Sequence, residues 1–238
     1  MADPLSPLDA APAPSSIRGG QRLPRAFFAR EPQLVARDLL GTVITTGTGD
    51  DRVAVRLTET EAYHGDTDPA SHAFRGPTER NAVMFGRAGH LYLYFVYGMH
   101  WCANIVTGSP GEASAVLLRA GEVIAGVELA RLRRPANRVG RELASGPARL
   151  ATVLGWGSGD SARAAIGADL CGRSAEPVGS PARIYAGSDT AVEIDVATGP
   201  RVGVAAAAEA PLRFWIAGDP TVSTYRPRVF KRRPAAGR

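Results

Sequence analysis

Lysine is almost missing from this chain: of the 28 basic residues only Lys231 is a lysine, and the other 27 are arginines. Long apolar runs are missing too, since no segment approaches the roughly 18 apolar residues that span a bilayer. The N-terminal residues lack the basic and apolar regions of a signal peptide. We therefore expect a cytoplasmic protein that has no membrane partner.

Cysteine is also scarce, with only Cys102 and Cys171. They lie far apart and in no paired spacing, which argues against a disulfide framework and a cysteine metal site, so we expect small buried side chains. The glycine-rich segment 155–159 lacks the lysine of a phosphate-binding loop and is predicted to be a linker. No Gly-x-Ser-x-Gly motif occurs, which disfavours a serine enzyme of the acyl-transfer type.

Positive charge is in excess, with a net charge of +5 and a pI of about 9.7. The planar fork of arginine suits phosphate recognition, although a genomic preference for Arg, Ala and Gly codons explains the bias equally well. The charge therefore permits a nucleic-acid partner without requiring one.

The 238 residues, 45% of them hydrophobic, are enough for one sizeable core. Residues 1–22 lack periodic apolar positions and are predicted to form a disordered arm. The last residues, from 226 to 238, form a basic tail that could reach phosphates, although such a run is more often simply solvated.

Hydrophobic periodicity predicts both helices and strands between these tails. The predicted helices cover 32–40, 122–134 and 147–154. The predicted strands cover 42–46, 53–57, 91–96, 101–106 and 115–120, with shorter ones near 184, 192–196, 201–204 and 212–216. Because regular βαβ alternation is lacking, we predict a mixed α and β fold rather than a doubly wound one.

Two glutamates, Glu59 and Glu61, follow the strand at 53–57. If the strand continues, both side chains share one face, because alternate residues of a strand point the same way. A pair of carboxylates is what glycosidic bond cleavage uses as acid and base. The alternative is an ordinary solvated strand face.

The long loop 64–90 contains His64, Asp66, Asp68 and His72, which are residue types that bind metals. Their spacing matches no known ligand motif, so a polar loop without metal is favoured. Loops of this length are usually functional.

Aromatic residues are concentrated in the segment 91–101. Most such rings lie in cores or interfaces, but Tyr97 and Met99 flank Gly98 at a predicted hairpin tip, where they cannot easily be buried. They are predicted to form an exposed apolar wedge of the kind that inserts between base steps of distorted duplexes.

A set of collinear motifs runs from about residue 25 to about 225. They are Leu40-Gly41, Glu59-Thr60-Glu61-Ala62-Tyr63, His72, Arg80-Asn81, Met84-Phe85, Gly89, Leu91-Tyr92, Tyr94, Tyr97-Gly98-Met99, Cys102, Asn104, Val116-Leu117-Leu118-Arg119-Ala120, Ser145-Gly146-Pro147, Arg201-Val202-Gly203-Val204 and Pro211-Leu212-Arg213-Phe214. In this order the chain resembles the alkyladenine (3-methyladenine) DNA glycosylase family.

The resemblance implies a monofunctional DNA glycosylase of base-excision repair. Such an enzyme flips alkylated purines of the 3-methyladenine type, with hypoxanthine as a deaminated candidate, out of duplex DNA and hydrolyses the N-glycosidic bond without lyase activity. It implies no cofactor and no metal, a duplex containing a damaged purine as the partner, a monomer, and a bacterial-type, nucleoid-associated location in the cytoplasm.

The resemblance also assigns residues to roles. Glu61 matches the general base, while Arg119 and the backbone carbonyl of Val202 match groups that hold the attacking water. The rings that enclose the flipped base match Tyr63, His72 and Tyr94, and Asn104 matches a residue that helps to exclude guanine. Tyr97, with Met99 beside it, matches the side chain that fills the gap in the stack. Glu59 is left with a supporting role that the resemblance does not define.

The fold implied is a single α+β domain over residues 23–225, with a curved antiparallel sheet, flanking helices and a protruding hairpin at 91–106 that inserts into DNA. The chain departs from the family pattern at His100, where a tyrosine is familiar, and in the short alanine-rich segment 205–210. Two other hypotheses stay open: a damage-binding module without turnover, and a metal hydrolase built on the 64–72 loop.

Overall fold

Two long antiparallel strands, Val53–Tyr63 and Ser114–Ala125, lie at the centre of the fold. The computed structural model describes residues 20–135, 140–171, 182–187 and 194–226. The predicted arm and tail therefore lie outside these ranges, apart from residues 20–22 and 226. Residues 20–23 pair with the segment 184–186 through backbone hydrogen bonds.

In chain order, the helices and strands of the described residues are α1 (Arg25–Phe28), α2 (Pro32–Asp38), β1 (Val43–Thr46), β2 (Val53–Tyr63), β3 (Leu91–Val96), β4 (His100–Thr107), β5 (Ser114–Ala125), α3 (Val127–Arg133), β6 (Ala144–Ser145), α4 (Pro147–Val153), α5 (Gly159–Ala165), β7 (Arg183–Tyr185), β8 (Val196–Gly199) and β9 (Arg213–Ile216). Short 3₁₀ turns occur at Gly49–Asp51, Gly65–Thr67, Ala82–Phe85 and Gly140–Glu142.

In these ranges, nine strands form one antiparallel sheet whose main order is β3-β4-β5-β2-β1-β7. β9 pairs with both β2 and β8, and β6 pairs with β5. The β2–β5 ladder shifts register at several points, and such bulges bend a strand and increase its twist. The α+β class and the curved antiparallel sheet are thereby confirmed.

Helix α2 covers the face of β2 that lies opposite the two glutamates. It begins at Pro32, whose fixed φ suits a first helical turn, and it buries Val35 and Ala36. The Thr60 hydroxyl donates a hydrogen bond of 2.8 Å to the carbonyl of Ala36. Because neighbouring residues of a strand point to opposite faces, Glu59 and Glu61 point away from the helix.

Most predicted elements are confirmed, among them α2, the β1–β2 hairpin, β3, β4, α4, β7 and β9. The predicted helix at 122–134 is wrong in its first part, because β5 continues to Ala125. Glu122 and Val123 pair there with β2. Gly126 (φ +70°) then ends the strand, and a side chain at this position would collide with the carbonyl oxygen of Arg52.

The predicted strand at 201–204 is also wrong, since these residues form an irregular segment. The side chain of Arg201 is buried and bonded to other parts of the chain, and Gly203 has a left-handed backbone (φ +73°). The left-handed backbone of Gly203 is incompatible with a regular strand.

The segment 155–159 is not a free linker, because Trp156 is buried in the core and α5 begins at Gly159. The short helix α1 was also not predicted. Of the predicted strand at 192–196, residues 192 and 193 lie outside the described residues. The prediction is wrong for residues 194 and 195, because β8 begins only at Val196.

Strands β3 and β4 form the predicted hairpin. Tyr97 (φ +54°) and Gly98 (φ +67°) both have left-handed backbones, and the amide of Met99 donates to the carbonyl of Val96 over 3.2 Å. Positive φ at both central positions is what a type I′ hairpin turn requires. Whether this hairpin enters DNA stays a prediction.

No helix within the described ranges has the length and apolar character to cross a bilayer. Cys102 is buried, as expected, whereas Cys171 is only half-buried. Burial raises the pKa of each thiol to about 11.

Candidate active site

Glu61 lies near the end of β2 with no solvent exposure, and three donors hold its carboxylate. Oε1 accepts a hydrogen bond of 2.7 Å from the amide of Val202 and lies 3.2 Å from a guanidinium nitrogen of Arg119. Oε2 accepts a bond of 2.9 Å from the hydroxyl of Tyr63. Because an ionised carboxylate can accept about four hydrogen bonds, Glu61 keeps capacity for one further donor, such as water.

A bulge in β5 directs Arg119 towards the glutamates. Thr60 pairs with Leu118 and Glu59 pairs with Ala120, so Arg119 is the additional residue between these two pairs. Bulges often redirect a side chain next to an active site. The buried guanidinium thus reaches both carboxylates of β2.

Glu59 is as deeply buried as Glu61 but has different partners. Its Oε1 accepts from the Nε atoms of Arg119 (2.9 Å) and Arg213 (2.6 Å). Its Oε2 accepts from the amide of Ser223 over 2.8 Å. Glu59 is therefore not a solvated strand residue, but part of a buried ionic network.

The two glutamates have pKa values displaced in opposite directions. Burial raises the pKa of Glu61 above its usual range, and the opposing effects of Arg119, Val202 and Tyr63 do not cancel it. Burial also acts to raise the pKa of Glu59, but Arg119, Ser223 and Arg213 outweigh it and the pKa is lowered. Two neighbouring carboxylates whose pKa values are displaced in opposite directions typically have different roles.

A cavity of about 340 Å³ opens beside this network. That volume falls within the usual range of small-molecule pockets. Six of the nine predicted site residues line it: Tyr63, His72, Tyr94, Tyr97, Asn104 and Val202. Glu61 lies behind the wall, in direct contact with the lining residues Tyr63 and Val202.

Aromatic rings from two elements meet in this cavity. The ring of His72 stands edge-on to Tyr94, with centroids 4.4 Å apart, and Tyr92 stacks near Tyr94 at 6.1 Å. The phenol of Tyr92 lies 3.3 Å from Nδ1 of His72. The buried side chain of Asn104 donates to the carbonyl of Tyr92 over 3.3 Å. Five rings, those of Tyr63, His72, Tyr92, Tyr94 and Tyr97, thus line the cavity together with smaller side chains and polar atoms.

Burial lowers the pKa of His72, and the nearby charge of Arg80 lowers it further. Burial likewise raises the pKa values of Tyr63 and Tyr94 well above the usual tyrosine range. At neutral pH the imidazole and both phenols are therefore uncharged.

A second ion pair, between Arg201 and Asp68, fixes the wall next to Glu61. Two guanidinium nitrogens of Arg201 bind the two oxygens of Asp68, one of them over 2.9 Å. The same guanidinium donates to the carbonyl of Ala62 (3.0 Å) and lies over the ring of Tyr63, 4.5 Å from its centroid. This arrangement places the next residue, Val202, with its amide on Glu61.

Sequence reasoning did not find the ion pair between Arg201 and Asp68. In the sequence, Arg201 is only one residue of the motif Arg201-Val202-Gly203-Val204, and Asp68 is only a candidate metal ligand. The same holds for Ser223, which no pattern singled out. The amide of Val202 is in contact with Glu61. The role that the resemblance gives to the Val202 carbonyl, which is to hold the attacking water, stays a prediction.

The hypothesis of a metal hydrolase needs several ligands that meet at one point. In the part of the chain that the structure describes, no group of three or more His, Cys, Asp or Glu residues could hold a metal ion. Both oxygens of Asp68 are engaged by Arg201, and Asp66 is exposed. His72 belongs to the aromatic cavity, while Nδ1 of His64 lies 3.9 Å from Glu31.

The hairpin tip projects from the mouth of the cavity. The side chain of Tyr97 is 83% exposed and that of Met99 is 66% exposed. Phe95 packs against Trp101 just below, with ring centroids 5.1 Å apart. The tip therefore presents apolar surface on a short, regular support.

Comparison with known proteins identifies relatives along most of the chain. The family model described as Methylpurine-DNA glycosylase (MPG) matches residues 26–220. A protein of Streptomyces avermitilis is 51% identical over 212 residues, covering 89% of this chain and 95% of its own. Proteins of Nocardia farcinica (46%; 82% and 88% covered) and Leifsonia xyli subsp. xyli (46%; 89% and 93%) are similar too. All three bear the provisional name 3-methyladenine DNA glycosylase.

Proposed function

Because the chain belongs to the methylpurine-DNA glycosylase family, whose members are hydrolases of glycosidic bonds in DNA, we propose that it excises alkylated purines of the 3-methyladenine type from duplex DNA. The observation that carries the proposal is Glu61, a buried carboxylate with a raised pKa directly behind an aromatic cavity.

The damaged nucleotide must leave the helix to reach this site. A purine that stays stacked in the duplex cannot approach a carboxylate that lies behind a cavity wall. The nucleotide must therefore flip out of the duplex. The cavity is large enough for a small ligand and has ring faces on which a purine can stack.

The cavity suits a cationic base, such as 3-methyladenine or 7-methylguanine in DNA. Aromatic faces attract cations. The imidazole of His72 is neutral at physiological pH because its pKa is lowered, so it does not repel a positive ring. The ionised carboxylate of Glu61 adds a favourable charge nearby.

In the proposed reaction, Glu61 accepts a proton from a water molecule as the water oxygen bonds to C1′ of the sugar. The bond from C1′ to the purine nitrogen breaks, and its electron pair leaves with the base and neutralises its positive charge. Arg119 and the Val202 amide keep the carboxylate oriented. A base with a raised pKa accepts the proton more readily.

Hypoxanthine is a neutral base and must be protonated as it leaves. His72 is a poor acid for this purpose, because in the cavity it is already deprotonated at neutral pH. We therefore propose that hypoxanthine is excised more slowly than the cationic bases.

We propose further that the DNA strand stays intact. A lyase step needs an amine that forms a Schiff base with the sugar. The only lysine in the sequence is Lys231, in the basic tail. None of the described residues that line the cavity is a lysine.

Tyr97 is proposed to fill the gap that the flipped nucleotide leaves. Tyr97 lies in the hairpin turn with a left-handed backbone (φ +54°), which is uncommon for a residue other than glycine. Here it lifts an exposed ring above the mouth of the cavity, in the manner of intercalating wedges.

Replacing Tyr97 with alanine is expected to weaken binding to a lesion-containing duplex by about tenfold, since base–aromatic stacking contributes ~1–3 kcal/mol. The backbone strain stays the same, because neither residue is glycine. Titration of a fluorescent duplex with one lesion measures the effect. Leu132→Ala, at an apolar residue that is 78% exposed and does not line the cavity, serves as the control; equal effects of the two variants would contradict the wedge.

The proposed function is tested by incubating the protein with duplexes that contain one 3-methyladenine, 7-methylguanine or hypoxanthine, with and without EDTA. We expect release of the methylated bases, slower release of hypoxanthine and no effect of the chelator. Tight lesion binding without base release would instead favour a damage-binding module, and loss of activity in EDTA would favour a metal hydrolase.

A further inference from the structure

Glu59 is a buried charge that the proposed reaction does not use. It has no solvent exposure and lies two residues from Glu61 on the same face of β2. Burying a second carboxylate so close to the first is costly unless it is paired and hydrogen-bonded. Its contacts therefore indicate its role.

Arg119 is divided between the two carboxylates. Its Nε donates to Glu59 over 2.9 Å, while another nitrogen lies 3.2 Å from Glu61. Its third nitrogen donates to the hydroxyl of Ser223 over 3.4 Å. The shorter contact is with Glu59, so the guanidinium is held by that side and presents its other edge to Glu61.

Glu59 is in turn fixed by groups outside the β2–β5 pair. The Nε of Arg213 on β9 donates to it, and the amide of Ser223 donates to its other oxygen. Arg213 also donates to the carbonyl of Ser223 over 3.1 Å. The carboxylate is thus held rigidly from three directions.

The network contains two carboxylates and two guanidinium groups, so its charges balance when Glu61 is ionised. Without Glu59, the charge of Arg119 would be available to Glu61 alone. A carboxylate paired with its own arginine has a lower pKa and is a weaker base. Sharing the arginine avoids this loss of basicity.

We propose that Glu59 is a positioning residue, which holds Arg119 by its Nε edge and shares its charge, so that Arg119 orients Glu61 and leaves it able to accept a proton. The inference rests on the proposed function, because it assigns Glu61 as the base.

The direction of the pKa shifts agrees with this geometry. The pKa of Glu59 is lowered despite its burial, so Glu59 stays ionised throughout the range in which Glu61 titrates. After burial, which is the largest effect, the charge of Glu59 is the other influence that raises the pKa of Glu61.

The groups that face Glu61 come from several elements. They are Glu59 and Tyr63 on β2, Tyr94 on β3, Cys102 on β4, Arg119 on β5 and Arg201 before Val202. The tyrosines and the cysteine have raised pKa values, as do the arginines. Among these groups, Glu61 is therefore the one whose pKa is displaced towards neutral pH.

The test is the pH dependence of single-turnover excision of 7-methylguanine in wild type, Glu59→Gln and Arg213→Gln. In Glu59→Gln we expect the acidic limb of the profile to move to lower pH by about one unit, because Arg119 then pairs with Glu61 alone. In Arg213→Gln we expect the limb to move to higher pH, because Glu59 then draws Arg119 more strongly.

Asp219→Asn is the matched control. Asp219 binds Arg56 and Thr221 in the segment that leads to Ser223, but it does not contact Glu59 or Arg119. We expect the pH profile of excision by Asp219→Asn to have the same acidic limb as that of the wild type. His72, which could also titrate, has Arg80 as its charged neighbour and contributes equally in every variant.

A Glu59→Gln variant that is slower at every pH with an unmoved limb would overturn the proposal and leave Glu59 a structural role. Circular dichroism and thermal melting establish whether each variant folds. If Glu59→Gln does not fold, the decision passes to Arg213→Gln, in which an unmoved limb is equally decisive. Absence of excision by the wild type would refute the proposed function instead.

Discussion

Glu61→Gln is expected to lower the single-turnover rate of 7-methylguanine excision by about a hundredfold to ten-thousandfold, the usual contribution of a general base. Glutamine has nearly the same shape and its carbonyl oxygen can still accept from the Val202 amide. It cannot accept a proton from water at neutral pH. Binding of the lesion duplex should therefore change much less than the rate.

Glu122→Gln provides the control for this prediction. Glu122 is an exposed carboxylate on β5 that pairs with Arg56, and the substitution is chemically identical. We expect its excision rate to equal that of the wild type. A Glu61→Gln enzyme that kept more than a tenth of the rate would contradict the assignment of the base.

Asp68→Asn is expected to reduce the free energy of unfolding by about 3–5 kcal/mol, the usual cost of removing one partner of a buried ion pair. Arg201 is only 1% exposed as a residue, and its guanidinium would lose its countercharge. The wall that carries Val202 would loosen, so excision should slow as well. Chemical denaturation monitored by tryptophan fluorescence measures the loss of stability.

Asp66→Asn is the matched control, because Asp66 lies on the same loop but is exposed. Exposed substitutions usually change stability by less than about 0.5 kcal/mol. Introducing Arg201→Gln into the wild type and into Asp68→Asn completes a double-mutant cycle. The cycle isolates the interaction energy between Asp68 and Arg201. If Asp68→Asn and Asp66→Asn reduced the free energy of unfolding equally, the ion pair between Asp68 and Arg201 would not stabilise the fold.

The strands around the site were predictable because their patterns are local. Alternating apolar residues lead along β2 into Glu59 and Glu61, and the aromatic alternation of 91–96 followed by Gly98 predicts the hairpin correctly. The shared face of the two glutamates follows from strand geometry alone. The aromatic character of the cavity was likewise visible in the composition of this segment.

The parts that escaped prediction depend on contacts between distant residues. Arg201 and Asp68 are 133 positions apart, and Ser223 is 164 positions from Glu59. Nothing local in 201–204 distinguishes an edge strand from an irregular segment that carries a buried arginine. The bulge that directs Arg119 likewise depends on how β5 pairs with β2, not on its own sequence.

The same reasoning explains why the residue pattern alone could not separate Glu59 from Glu61, to which only the family resemblance gave different roles. Both are glutamates in adjacent positions of one strand face, and both are fully buried. Only their partners differ: two arginines and an amide for Glu59, and one shared arginine, an amide and a phenol for Glu61. Partners of this kind, rather than residue type, set the protonation behaviour of a carboxylate.

Product analysis by mass spectrometry tests the central claim most directly, with wild-type protein and a duplex that carries a single 7-methylguanine. The expected products are free 7-methylguanine and a full-length strand with an abasic sugar, which breaks only after treatment with hot alkali. No free base, or a strand cleaved at the lesion without alkali, would contradict the account of Glu61 as the base of a simple hydrolytic excision.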